Sequence, residues 1–158
     1  MPTSPEIINL THDILKAATG LAEIKNWNKA NGLVTMAAPG CSIGLEREIY
    51  ESYTRDQDEA TANVSILIWV KNIDPAAGEE KVRLLAQEAR LVLAEDYSLN
   101  GAAATSYVHG IVFTTAEGQK SLLLHLAEID FRVTYYSSRS RTGSPTPIDQ
   151  VNNDVGAE

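Results

Sequence analysis

The residue pattern with the most chemical content is Gly40-Cys41-Ser42-Ile43-Gly44, a match to the G-x-S-x-G turn that presents a nucleophilic serine in many hydrolases. His109 and His125 follow it, and Asp74 or Asp96 would supply an acid in the chain order Ser, Asp, His. Such an elbow needs a buried strand running straight into a helix. Here Pro39 interrupts the approach, a charged and partly alternating segment follows, and too few strand–helix units remain to build that sheet. The stretch therefore reads as a Gly-rich turn at a strand entry. Gly118-Gln119-Lys120-Ser121 fails as a phosphate loop, because Gln119 separates the glycine from the lysine, and reads as a hairpin turn.

His12, His109 and His125 show no ligand spacing, and the lone Cys41 cannot build a thiolate site. No catalytic, cofactor-binding or metal-binding residue is assigned. His125 reads as a half-buried residue on a sheet face. Cys41 reads as a small loop residue, with no Lys, Arg or His within five positions to activate its thiol. Trp69, Phe131, Tyr135 and Tyr136 sit on strand-like runs and read as core or interface anchors. Trp27, flanked by polar residues, is a candidate exposed contact or a cap over a sheet edge.

The remaining signal is charge. Arg47, Glu48 and Glu51 lie in one strand-like segment and Glu128, Asp130 and Arg132 in another, as mixed charges on solvent faces. The plain reading is a solvated face with weak ion pairs. The functional reading is that these faces meet complementary charges on neighbouring copies and fix register and partner choice, with Trp27 a separate candidate contact.

The elements that must position these residues follow from composition and periodicity. The chain has 158 residues, 44% of them apolar and 22% charged, which fits one ordinary globular domain. A net charge of −8 argues against a nucleic-acid groove or an anionic membrane as partner. A single cysteine excludes an intramolecular disulfide and fits a reducing compartment. The N-terminus lacks the charge and apolar core of a signal peptide, and no stretch approaches the ~20 apolar residues of a membrane span, so the expected place of synthesis is the cytosol.

Ser4-Pro5 is a helix-start signal, and Ile7, Leu10, Ile14, Ala17 and Leu21 recur at helical spacing, with Gly20 as the stop. Two short extended pieces meet at the turn dipeptide Asn31-Gly32. "LEREIYESY" reads as a strand, "TRDQDEATA" as a long hairpin loop and "NVSILIWVKN" as the returning strand. A helix follows Asp74-Pro75, with Val82, Leu85, Ala86, Ala89 and Leu93 on one face, Leu84, Leu91 and Val92 widening it, and Glu79–Arg83 as a surface pair.

"TSYVHGIVFTT" and "LLLHLAEIDFRVTYY" then form a hairpin joined by "AEGQKS". The last strand runs about fifteen residues, well beyond the usual ~5–6, so its outer end is expected to pair with another subunit or to project as a ribbon. The polar segment 139–158 reads as a flexible tail, leaving 1–138 as a single domain. The expected fold is α/β of the α+β kind: a mixed, mostly antiparallel sheet of four to six strands with two main helices packed on one face, plus a β-hairpin extension.

This order of elements resembles the tail terminator proteins of long-tailed bacteriophages, lambda-terminator-like subunits. The residues that carry it are the N-terminal helix, the Pro39-Gly40 loop, "EREIYESY", "NVSILIWVKN", the helix at 79–95 and the closing "EIDFRVTYY", over about residues 5–138. The resemblance implies a non-enzymatic virion protein, assembled in the host cytoplasm, that forms a homo-hexameric ring. That ring caps the tail tube, ends its polymerisation and faces the head-completion and neck proteins. It implies no cofactor, no membrane and no specific nucleic-acid binding, with DNA passing only through the ring lumen. The alternatives are another neck or tail-completion protein, a cytosolic ligand-binding or adaptor module, and a small serine hydrolase using Ser42.

Overall fold

The computed structural model describes residues 1–33, 37–117 and 122–139. Helix α1 spans Ser4–Ala17, strand β1 Asn26–Asn28, β2 Gly40–Ser52, β3 Gln57–Asn72, helix α2 Pro75–Ala94, β4 Thr105–Glu117 and β5 Leu123–Ser138. The strands form one sheet in the order β1-β2-β3-β5-β4, parallel only between β1 and β2. Both helices cover the same face. This is the expected mixed sheet with two helices on one side.

α1 starts one residue earlier than the sequence suggests. Thr3 is the cap residue and makes no side-chain cap bond, while Pro5 lies in the first turn. The buried stripe also differs: Ile7, Thr11 and Leu15 face the core, whereas Leu10 and Ile14 are half-buried and Ala17 is exposed. A buried threonine is tolerated because its hydroxyl donates to the Ile7 carbonyl at 2.8 Å. The helix ends at Ala17. Gly20 belongs to a short 3-10 turn, Thr19–Leu21, where an added Cβ would strike the Glu88 side chain of α2, so this glycine permits close approach.

α2 is capped by Asp74, whose carboxylate accepts from the Ala76 N–H at 3.0 Å. Val82, Leu85, Ala86, Ala89 and Leu93 are buried against the sheet, and Glu79–Arg83 pair at 2.8 Å. Leu84 and Leu91 do not widen that face: they point to solvent, and Val92 is half-buried. They lie outside the arc that the sheet covers.

Two expectations about β2 and β3 are corrected. Gly40–Gly44 is the buried first half of β2 and no loop, so Cys41 is a core strand residue. "TRDQDEATA" is mostly strand: β3 begins at Gln57, leaving only residues 53–56 to turn. Ala60 and Ala62 alternate onto the covered face and are fully buried, which makes the apparently polar run a half-buried strand.

That longer β3 also answers the problem of the long β5. All sixteen residues of β5 pair with β3, from Leu123–Asn72 to Ser138–Gln57. Its outer end therefore finds its partner within the chain. Beyond the last β4 pair, Thr105–Thr134, the ends of β2, β3 and β5 continue as a three-stranded extension. Arg139 closes this tip, with its guanidinium on Asp58, Ser52 and the Arg55 carbonyl and its N–H on the Asp56 carbonyl. The turn expected at 118–121 and the tail at 140–158 lie outside the described residues.

Candidate subunit-contact surface

The alternation of β5 separates two environments. Ala127, Ile129, Phe131, Val133 and Tyr135 are buried under the helices; Glu128, Asp130, Arg132 and Thr134 occupy the opposite face, which no helix among the described residues covers. At one end of that second face, Trp69, Leu67 and Leu124 form a small apolar cluster with Ala38 and Leu126, and the Trp69 indole N–H donates to the Ala37 carbonyl at 2.8 Å. Beyond this cluster the face is polar and open.

The same alternation takes apart the hydrolase arrangement. Ser42 pairs with Leu67 on the second face, in line with Gly40 and Gly44, whose added Cβ atoms would meet Trp69 and Asn31. His125 lies on the covered face, against Gly78 of α2. The sheet stands between them. His109 sits in β4, three strand spacings from β2, or about 14 Å. The acids have other work. Asp74 caps α2, and Asp96 clasps a turn by accepting from the Ser98 hydroxyl at 2.6 Å, the Asn100 N–H at 2.9 Å and the Ser98 N–H at 3.0 Å. These bonds, the Ser98 hydroxyl foremost, hold the Asp96 carboxyl below its ordinary range.

Ser42 is fully buried and its hydroxyl has no partner among the described residues. His125 is also buried, more deeply than a half-covered sheet residue; its Nδ1 lies 3.4 Å from the Thr115 hydroxyl and its Nε2 has no partner among the described residues. Burial pushes the Cys41 thiol up to about 12, the opposite of an activated thiolate. Among the described residues no three His, Cys, Asp or Glu side chains come together as a metal-binding group, and no helix is long and apolar enough to cross a membrane.

Of the charged candidates, the open face gathers Arg47, Glu51, Glu128, Asp130 and Arg132. Arg47 and Arg132 flank Asn63 in one row across β2, β3 and β5. The Arg132 guanidinium reaches Asp130 on its own strand at 3.3 Å, both half-exposed. A depression of about 270 Å³ on this face is bordered by Asn31, Glu46, Ser65 and Glu128.

Glu48 does not join them. A register shift between Leu45 and Arg47 turns it to the covered side, where it accepts from the Tyr135 hydroxyl at 2.8 Å and from the Tyr50 hydroxyl. Burial, followed by that bond to Glu48, raises the Tyr135 pKa. Trp27 is apart as well. It is half-buried in β1, donates to the Ile24 carbonyl at 3.1 Å and packs edge-on against His12.

The sequence reading missed the exposed apolar side chains of β4, namely Tyr107, Val112 and Phe113. The available signal was that apolar residues in "TSYVHGIVFTT" fall on both parities, as in a strand apolar on both faces. The shift at His109, between Val108 and Gly110, turns Val112 to the open face beside Tyr107 and Phe113 to the helix-covered side.

No protein-family model matches the chain, and no curated protein matches it. Among solved structures, the chain is similar to one in a structure described as "Virion of native gene transfer agent (GTA) particle", at 15% identity and a TM-score of 0.48, covering 83% of this chain and 95% of that one.

Proposed function

We propose that this chain is a structural protein of a phage-like virion and, within it, the tail terminator: a hexameric ring that caps the tail tube, ends its polymerisation and presents the joining surface to head and neck proteins. The observation that carries the reading is the division of the sheet into one face sealed by both helices and one left open, with Arg47, Glu51, Glu128, Asp130 and Arg132 on the open side. Mixed charges spread over a rigid sheet suit register-specific contact with other protein surfaces better than they suit a substrate cleft. The order of helices and strands, with the long closing strand, fits the resemblance to terminators. The reading assigns no reaction and no cofactor to the chain.

The test is light scattering and negative-stain imaging of the purified protein at several protein and salt concentrations, alone and with tail tubes. Six-fold rings seated on tube ends are expected, with contacts that weaken as salt rises. A chain that stays monomeric and inert beside tail tubes overturns the proposal.

A further inference from the structure

The sheet ends in two open edges. β4 is the last strand on one side, with no strand among the described residues along its outer edge over thirteen residues. Edge strands are usually blunted by lysine, proline, short length or a β-bulge, of which β4 has the bulge at His109. β4 carries no lysine or proline, and no charged side chain lies between Thr105 and Ala116. Tyr107, Val112 and Phe113 are exposed along it, at 52%, 66% and 42%. On the other side β1 covers only Gly40–Ser42 of β2. Asn31 takes the Leu45 carbonyl at 2.6 Å, and residues 46–52 form a second stretch with no strand along it among the described residues.

We propose that β4 of one copy pairs antiparallel with residues 46–52 of β2 in a second copy, carrying one sheet across the subunit boundary. It deepens the self-assembly part of the terminator reading and rests on it. Three properties of the chain argue for this occupant. The first is direction. β2, β3, β5 and β4 are successively antiparallel, so β2 and β4 run in opposite senses, and two like-oriented copies placed edge to edge bring them together as an antiparallel pair.

The second is the match of sides. A continuous sheet keeps its faces, so the neighbour's Tyr50 and Glu48 fall on the helix-covered side of β4 and its Ile49 falls on the open side, the side that carries Tyr107 and Val112. On the covered side a groove of about 260 Å³ runs between α2 and β4, bordered by Arg90, Leu91, Ser106 and Val108. It receives the exposed Tyr50 ring.

The third is charge. On the covered side residues 46–52 present Glu48, which accepts from Tyr135 and Tyr50 of its own copy, and the groove beside β4 holds Arg90, which has no partner among the described residues. Because the two edges differ, the contact is heterologous. Each copy keeps one edge of each kind, the condition for a ring if the rotation closes.

The experiment uses the full chain with Ile49→Cys and Val112→Cys as separate variants, each alone and in equal mixture, treated with a short bis-maleimide. The native Cys41 is buried and serves as the unreactive background. Cross-linked dimer in the mixture, and not in either variant alone, is the expected result. Cross-linking of Val112→Cys by itself shows a twofold β4–β4 contact and overturns the proposal, as does a monomer with no mixed product at millimolar protein.

As a second readout, Phe113→Lys is expected to weaken self-association at least about tenfold with the urea midpoint little changed, since the side chain is part-exposed. Unchanged association overturns the pairing. Tail-tube binding is scored separately. Mixed cross-links without tube binding leave the edge pairing standing and remove the terminator reading; rings on tubes that cross-link only through Val112→Cys do the reverse.

Discussion

Phe131 and Arg132 are neighbours in β5 and belong to different worlds. Phe131 is fully buried between sheet and α2, in a cluster that runs from Ile7 to Tyr135. Arg132, one residue on, lies on the uncovered face, half-exposed and paired with an equally half-exposed Asp130. One strand thus serves a folding face and a contact face with a period of two, and each can change with little cost to the other. Stability is concentrated on the side where apolar area leaves water. Recognition is left to the side where charges keep their hydration until a partner arrives.

This contrast can be broken by substitutions on each face. Phe131→Ala is expected to cost the most, about 3–5 kcal/mol, read as a fall in the urea midpoint. Gly78→Ala comes next. On an exposed helix this change stabilises by about 1 kcal/mol, but here the new Cβ would lie 2.1 Å from His125 Nε2, so a loss of about 1–3 kcal/mol is expected. In the double variant with His125→Ala the two costs should fall short of their sum, because one removes the obstacle met by the other.

Alkaline pH probes the covered face at Cys41. Its folded pKa, pushed up to about 12 by burial, exceeds that of the unfolded chain. The stabilising contribution is therefore complete below the unfolded thiol value and is lost as pH rises toward the folded one. From about pH 9 this loss reaches up to ~1.4 kcal/mol per pH unit. Tyr135, also raised by burial, adds in the same direction from about pH 10. Urea unfolding of the native chain and of Cys41→Ala over this range isolates the thiol, and the variant should show the shallower decline. Arg132→Ala is expected to have the smallest effect on stability, under about 1 kcal/mol, while association measured by sedimentation falls. Equal stability costs for Arg132→Ala and Phe131→Ala would erase the distinction between the faces.

Much of this was legible in the chain itself. The alternation from Ala127 to Tyr135 determined which side of β5 is buried, because a period of two leaves a strand no other way to hide its apolar side chains. The helical spacing of Val82, Leu85, Ala86, Ala89 and Leu93 did the same for α2. Where the sequence misled, a neighbour decided. Ala60 and Ala62 become strand because β5 runs alongside them, and Glu48 turns to the covered side through a one-residue register shift beside Arg47. Leu84 and Leu91 stay in solvent because the sheet covers too narrow an arc of the helix.

What the sequence determined by itself was the local period and the two-faced character of its strands, since both follow from backbone geometry and side-chain solvation. Only the tertiary structure decided that Ser42 and His125 stand on opposite sides of the sheet and that β4 and the far half of β2 are open edges among the described residues. Strand order and register are set by long-range pairing, and no local pattern encodes them.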